Sequence, residues 1–444
     1  VDLSKTTELL HEHLTESLCQ TVYQKNRVAE REREWSLHAL ADFWTEVILR
    51  ASKALTHALE EGGRGLPGWT PVKTSDEAFF KRCKTLSWKF FAGLLHEFSA
   101  RILKVAPSGY ASEMAPLSRR FSELWVVDGS RLDAIAHRLK ILRDIRSPIL
   151  PGCLLVAYDL FRGIPRRLQF DPDAAASEMS RAHQMLDDIP RETLLLADRL
   201  YASVALFEEL GKRGLWGLFR LSARLKVRRL ERLSRTRVDG GSLEDWRVEV
   251  GCGVTAPKQI LRLVRLKKGR VVYEALTNVL DLERLSAIEA MNLYPYRWTI
   301  ERMFFDLKEV LNLHRFYAAN PNAVAMQVYA AALVYTAMRV AQGLVAQQLH
   351  LKPEAISPQK FFVKVARVSS MLTGAQCAIQ AVKRANPGVR LKIPRLQRLP
   401  FVKTTLGAIL VEKRDEHRRR RRFCEGRRRW KSFKHVPGGR ALLS

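Results

Sequence analysis

The chain reads as a mixed α/β protein, α+β taken as a whole, and three observations predict that class. Between 120 and 221, short apolar runs that stop at acidic or turn residues alternate with helix-patterned stretches. Basic, strand-patterned runs follow over 222–280. Helical periodicity dominates before 110 and after 281, so helical regions flank a sheet-bearing core.

Taken in order, apolar spacing at helical period runs through 5–24 and 35–59, broken by the loop Gly62-Gly63-Arg64-Gly65-Leu66-Pro67-Gly68. A second helical group starts at Thr74, where Thr74 and Glu77 have capping-box spacing. Its helices, 75–84 and 87–104, would suit a helix-turn-helix that reads DNA, although adjacent helices are common; residues 1–110 are read as a helical N-terminal DNA-binding domain. A strand over 124–128 ends in Asp128-Gly129, which reads as a turn. Strands 153–160 and 164–170 form a hairpin at Arg162-Gly163-Ile164-Pro165. A helix over 174–187 precedes a strand over 193–198 that ends in Asp198, and a helix (201–212) and a strand (215–221) complete the first part of the core, 120–221. Residues 222–280 read as a β-rich insertion, with strand-like runs at 245–250, 259–266 and 271–276 and a turn at Lys267-Lys268-Gly269. The core resumes over 281–348, and 349–444 is a helical and basic C-terminal region with a helix over 358–385.

The most informative segment is Tyr294-Pro-Tyr-Arg297-Trp-Thr-Ile-Glu301-Arg-Met-Phe-Phe-Asp-Leu-Lys308. On an α-helix, Tyr294, Arg297, Glu301 and Lys308 fall within about 60° of one another. An apolar set (Ile300, Phe304, Leu307, Leu311) lies beside that stripe, which puts Glu301 at the rim of a buried face. Pro295 fits only near the helix start. Spacing alone leaves a solvated polar face equally open.

The same residues resemble the Y-(2)-R-(3)-E-(6)-K motif of DDE transposases from bacterial insertion sequences, the insertion-sequence-four family, with every spacing matched. That resemblance implies an RNase H-like catalytic core over about 120–340, interrupted by a β insertion. The β-β-β-α-β-α-β order read above is the order of that fold. The family also needs two upstream aspartates at strand ends, and Asp128 and Asp198 fill those places, giving Asp128, Asp198 and Glu301 as the catalytic, metal-binding set. Where the family commonly writes a glycine two residues after its second aspartate, this chain has Leu200. The implied activity is cleavage of transposon ends, followed by attack of the new 3′-OH on DNA. Some relatives excise through a DNA hairpin.

Three carboxylates without a His or Cys partner make a hard, all-oxygen site suited to Mg²⁺, with Mn²⁺ as a substitute. Two ions about 3.5–4 Å apart can activate a water and stabilise the departing 3′ oxygen. In that scheme Asp128 bridges the ions, and Asp198 and Glu301 each complete one side. Arg297 and Lys308 would hold flanking phosphates and Tyr294 would donate to the same backbone. Trp298 would either stack on an unpaired base or simply pack. Lys308 as a structural salt-bridge partner is the plainer alternative.

The formal charge of +29 and sequence pI near 10.2 point to a nucleic-acid partner, here double-stranded DNA. The excess is not in residues 1–60, which hold 7 Lys/Arg against 10 Asp/Glu. It lies in the 383–403 stretch, in the arginine runs at 418–422 and 427–429 ahead of Trp430, and in the insertion. From Arg224 to Arg237 the insertion has seven basic residues and one acid, which makes Arg224, Lys226, Arg228 and Arg229 candidate DNA contacts. The six cysteines have no paired spacing, which argues against a zinc site or disulfide framework and for a reducing, cytoplasmic setting. His11-Glu12-His13 has the wrong spacing for one helix face and reads as surface. No secretory signal pattern opens the chain. The apolar helix near 321–347, broken by Gln327 and Arg339, reads as buried core and not as a membrane span. Holding two element ends together implies a homodimer. Two rival classes remain: an RNase H-like structure-specific nuclease without strand transfer, and a catalytically silent DNA-binding relative of a transposase.

Overall fold

The computed structural model describes residues 3–26, 35–63, 72, 75–132, 152–238, 240–251, 257–313, 315–318, 320–369, 371, 404 and 408–410. The 383–403 stretch, the terminal arginine runs, Thr74, most of the 62–68 loop, the later part of the 358–385 helix, and Cys252, Cys377 and Cys424 lie outside them. The helices and strands are α1 (Lys5–His13), α2 (Glu16–Asn26), α3 (Leu37–Leu49), α4 (Leu55–Gly63), α5 (Asp76–Thr85) and α6 (Lys89–Ile102), then β1 (Leu124–Arg131), β2 (Cys153–Asp159) and β3 (Ile164–Asp171). Next come α7 (Glu178–Met185), β4 (Leu194–Ala197), α8 (Val204–Lys212), β5 (Trp216–Arg220), β6 (Lys226–Val238), β7 (Gly241–Gly251), β8 (Gln259–Lys268) and β9 (Val271–Thr277). Helices α9 (Ala287–Leu293), α10 (Trp298–Phe305) and α11 (Pro321–Gln348) follow.

Among the described residues, nine strands form one sheet in the order β3-β2-β1-β4-β5-β9-β8-β7-β6. Strand β2 runs antiparallel to both β1 and β3, while β1, β4 and β5 run parallel. Three antiparallel strands followed by two parallel ones, with a helix between β3 and β4 and another between β4 and β5, is the RNase H-like arrangement. The strands of 222–280 do not stand apart from it: β9 pairs antiparallel with β5 (Leu218↔Thr277, Arg220↔Ala275), so the insertion lengthens the same sheet.

Each face of the sheet carries its own apolar layer, as a two-sided sheet requires. Leu124, Val126, Leu194 and Leu196 face one layer with α3, α6, α10 and α11; Trp125, Val127, Leu195 and Ala197 face the other with α7 and α8. Helix α11 is long and apolar enough to cross a membrane, but its apolar window is buried within the fold. Its two polar interruptions are satisfied internally: Gln327 donates to the Arg315 carbonyl at 2.8 Å, and Arg339 donates to the Gly163 carbonyl at 3.1 Å and to Gln342 at 2.8 Å.

Some local readings change. The helix expected at Thr74 is instead capped by Ser75, whose hydroxyl accepts from the Ala78 amide. Helix α6, the second of the supposed DNA-reading pair, buries Phe90, Phe91, Leu94, Leu95 and Phe98 in the core. His13 is not a surface residue: it is half-buried edge-on to Phe98, and burial lowers its pKa. Cys19, Cys83 and Cys153 are buried free thiols.

One buried ion pair sets where the chain goes after the insertion. Arg262, fully buried on β8, donates to both oxygens of Asp245 on β7 at 2.9 Å. It also donates to the carbonyls of Val279 at 3.0 Å and Leu285 at 2.6 Å. Leu285 immediately precedes Ser286, which caps α9 through a capping box with Glu289. The insertion thereby anchors the segment that delivers Tyr294 to the site.

Candidate active site

Asp128 and Asp198 are brought together by the register of two parallel strands. The last paired residues of β1 and β4 are Val126 and Leu196, and each aspartate lies two positions further on. They share the parity of Leu124, Val126, Leu194 and Leu196, whose side chains face the layer containing α10. Two details differ from the expectation. Asp128-Gly129 is not a turn, because β1 continues to Arg131 along β2 (Asp128↔Val156, Arg131↔Cys153). Asp198 does start a turn, its Oδ1 accepting from the Leu200 amide at 2.6 Å. Leu200 is not among the positive-φ residues, so this turn has no need of the glycine common in the family.

The segment carrying the third carboxylate is not one regular helix. Tyr294–Arg297 is a 3-10 turn, Trp298–Phe305 is α-helical and Asp306–Val310 is a π turn. Pro295 explains the tight start, since it has no amide to donate into an α turn. Ile300, Met303, Phe304 and Leu307 pack into the core and hold Glu301 at the rim.

Arg297 stands between the acids. Its Nη1 lies 3.2 Å from Asp128 Oδ2 and its Nη2 lies 2.9 Å from Glu301 Oε1. A guanidinium with its donors on two carboxylates is not available to a phosphate in this arrangement. Lys308 donates to Ser130 Oγ at 2.8 Å and to the Arg131 carbonyl at 2.7 Å, tying the π turn to the end of β1. Tyr294 is buried enough to push its hydroxyl up to about 12, with Arg297 and Arg220 opposing. Trp298 is 44% exposed, with the Arg297 guanidinium 5.0 Å from its ring, so it presents a face to solvent and is not core packing.

The electrostatics are those of crowded acids. Burial pushes the Asp128 carboxyl up to about 7; Arg297 opposes this, and the fields of Asp198, Glu178 and Glu301 add to it, in that order. Burial likewise raises Glu301 against the pull of Arg297, with Asp198 contributing. Glu178 was not anticipated. It lies in the first turn of α7, on the opposite face of the sheet from Glu301, and a Cβ on Gly129, which faces that layer, would come 2.4 Å from its Oε2. The Tyr201 hydroxyl, buried three residues after Asp198, donates to Glu178 Oε1.

The donor set suits a hard divalent cation: it offers carboxylate oxygens alone, and a cationic side chain already sits between two of the acids. Among the described residues, no three His, Cys, Asp or Glu side chains yet stand at the spacing of one ion's ligand shell. Arg297 occupies that place between Asp128 and Glu301.

Of the basic candidates of the insertion, Lys226, Arg228 and Arg229 lie on the outermost strand, β6, and Arg224 just before it. Arg224, Lys226, Arg228 and Arg229 are all exposed. Arg228 is committed to a bidentate pair with Glu249, both contacts 3.1 Å. Register shifts at Leu230 and Leu233 give β6 a spacing of three on one face. Arg229, Arg232 and Arg235 oppose Val248, Trp246 and Glu244, which alternate along one face of β7. Arg229 and Arg232 both lie over Trp246, at 4.9 and 5.7 Å.

Comparison with known proteins shows what the chain is similar to. Residues 152–337 match the family described as the transposase DDE domain, a span that contains Asp198 and Glu301 and begins after Asp128. Over 120 residues the chain is 30% identical to "Putative transposase y4zB" of Sinorhizobium fredii; the match covers 27% of this chain and about a third (34%) of that relative's length. Among solved structures, a piggyBac transposase synaptic complex with hairpin DNA is similar at 11% identity with a TM-score of 0.37, over 93% of this chain and 88% of that one. Residues 152–337 are thus similar to the transposase DDE domain.

Proposed function

We propose that this chain is a transposase of the insertion-sequence-four type, which cleaves transposon ends and joins the resulting 3′-OH to DNA. The observation that carries the reading is the level placement of Asp128 and Asp198 past the last β1–β4 pair, with Glu301 reached through a shared arginine. Two magnesium-type ions, when bound, would supply an activated water and stabilise the departing oxygen. Asp128, Asp198 and Glu301 would hold them, and the all-oxygen donor set fits that role. Arg297, once released from the two acids, is the residue placed to grip a phosphate beside the scissile bond. Tyr294 backs Arg297, and Lys308 steadies the end of β1. Trp298, exposed beside Arg297, has a ring face on which an unpaired base can stack.

The arginines of β6, with Lys226, supply sequence-blind phosphate contacts, and double-stranded DNA is the partner. Two ends processed together call for a homodimer, and a cytoplasmic setting follows from the DNA substrate. Excision through a hairpin is compatible with the same residues.

The test is incubation of a labelled duplex of the element's inverted repeat with the full chain and Mg²⁺, products being resolved on denaturing gels. Wild type should nick at the end and join that end to a second duplex. Glu301→Gln should bind the duplex within a few-fold of wild type and nick at least about a thousandfold more slowly, as loss of an acidic catalytic group commonly does. Nicking without joining would leave the nuclease alternative standing. Wild-type nicking by Glu301→Gln would remove the site assignment.

A further inference from the structure

We propose that Glu178 is a fourth acidic residue of the cleavage site, held beside Asp128 by the Tyr201 hydroxyl and admitted there by the missing Cβ of Gly129. The inference rests on the metal-dependent reading above and extends it to the other face of the sheet.

Three observations carry it. First, Glu178 belongs to α7, which packs opposite α10, and from that face its carboxylate lies against the Gly129 backbone, at the residue next to Asp128. A methyl group at 129 would stand 2.4, 2.5 and 2.9 Å from Oε2, Cδ and Oε1, so only glycine leaves room for this approach. Second, the carboxylate is aimed. Tyr201 is 1% exposed and belongs to the segment leaving Asp198, and its hydroxyl donates to Glu178 Oε1. One hydrogen bond thus ties α7 to the Asp198 segment, while the same carboxylate touches the residue after Asp128. Third, charge is left over. Arg297 answers Asp128 and Glu301, but among the described residues no ion pair is formed by Glu178. A carboxylate with no cationic partner of its own is available to a cation held by Asp128. Tyr201 is then a positioning residue acting through Glu178, and Gly129 keeps the path open.

The experiment measures Mn²⁺ binding to the metal-free full chain by calorimetry, with end-duplex binding and the unfolding midpoint as checks of folding. Glu178→Gln, which keeps an acceptor for Tyr201 but removes the charge, should weaken Mn²⁺ binding by about tenfold, the scale of supporting groups at metal sites. Tyr201→Phe should weaken it less, by roughly threefold on the same scale, and should add nothing in the Glu178→Gln background. Asp128→Asn is the reference for the parent reading. If Asp128→Asn loses Mn²⁺ while Glu178→Gln binds it like wild type, the parent reading stands and the role of Glu178 is refuted. An additive effect of Tyr201→Phe on Glu178→Gln refutes the positioning link. If Asp128→Asn binds Mn²⁺ normally, the metal site itself is wrong and Glu178 falls with it.

Discussion

Asp128→Asn should make the metal-free protein more stable at pH 8 while abolishing its cleavage. Asp128 has an ordinary carboxyl pKa of 3.8 in the open chain and about 7 in the fold, driven first by burial. Its side chain is 18% exposed, so solvent screening discounts the effect only modestly. At about 1.4 kcal/mol per pH unit, the ionised form costs roughly 4 kcal/mol more in the fold than in the unfolded chain. The sign follows from a folded pKa above the unfolded one. The group favours the fold fully below 3.8, loses that contribution as pH rises towards 7, and stays unfavourable above it. Asn removes this pH-dependent term, the pull of Arg297 being already contained in the pKa of about 7, while imperfect matching of the carboxyl's hydrogen bonds by the amide offsets about 1–2 kcal/mol at either pH. The variant's advantage should therefore grow by roughly 2–3 kcal/mol between pH 5 and pH 8 and leave a net gain of about 2 kcal/mol at the higher pH. Urea unfolding in EDTA at both values measures it. A variant no more stable than wild type at pH 8, or a difference unchanged between the two pH values, would refute the account of a crowded, half-dried carboxylate.

Three further outcomes are expected. Gly129→Ala should cost less than about 2 kcal/mol of stability yet raise the Mg²⁺ needed for half-maximal cleavage about tenfold, because the new methyl displaces Glu178. Arg262→Met should destabilise by about 3–5 kcal/mol in urea, since it strands the buried Asp245 carboxylate, and Asp245→Leu added to it should recover part of the loss. Arg232→Ala should weaken duplex binding alike on all sequences and reduce the slope of log K against log salt by about one, as for a single phosphate contact.

Much of the site was legible because its signals are local. Leu124 to Val127 and Leu194 to Ala197 are apolar runs that stop at an acid, and burial on both faces makes such runs conspicuous. The spacing from Tyr294 to Lys308 survives as sequence, although a 3-10 turn and a π turn replace the regular helix on which the stripe was drawn. Glu178 was hidden by its neighbourhood: an acid just after Ser177 reads as a routine first-turn residue, and nothing local reveals that α7 brings it under Gly129. Gly129 itself was legible only as a turn former, whereas its actual use is close approach. The pairing of β9 with β5 was equally silent, since strand periodicity says which face is buried but not which neighbour is chosen. Arg262 did leave a trace, a charge alternating with Ile260, Leu261, Leu263 and Val264 in a strand-like run, and its partner Asp245 was within reach of the same reasoning.

The outermost strand has a consequence for handling the protein. A thirteen-residue edge is long enough to recruit a foreign strand and seed aggregation. Here the two bulges break its regular ladder, and mutual repulsion among the guanidinium groups discourages a second copy from docking edge to edge. Concentrated salt screens that repulsion, so the brine customarily used to keep strongly basic proteins dissolved removes part of this one's own safeguard.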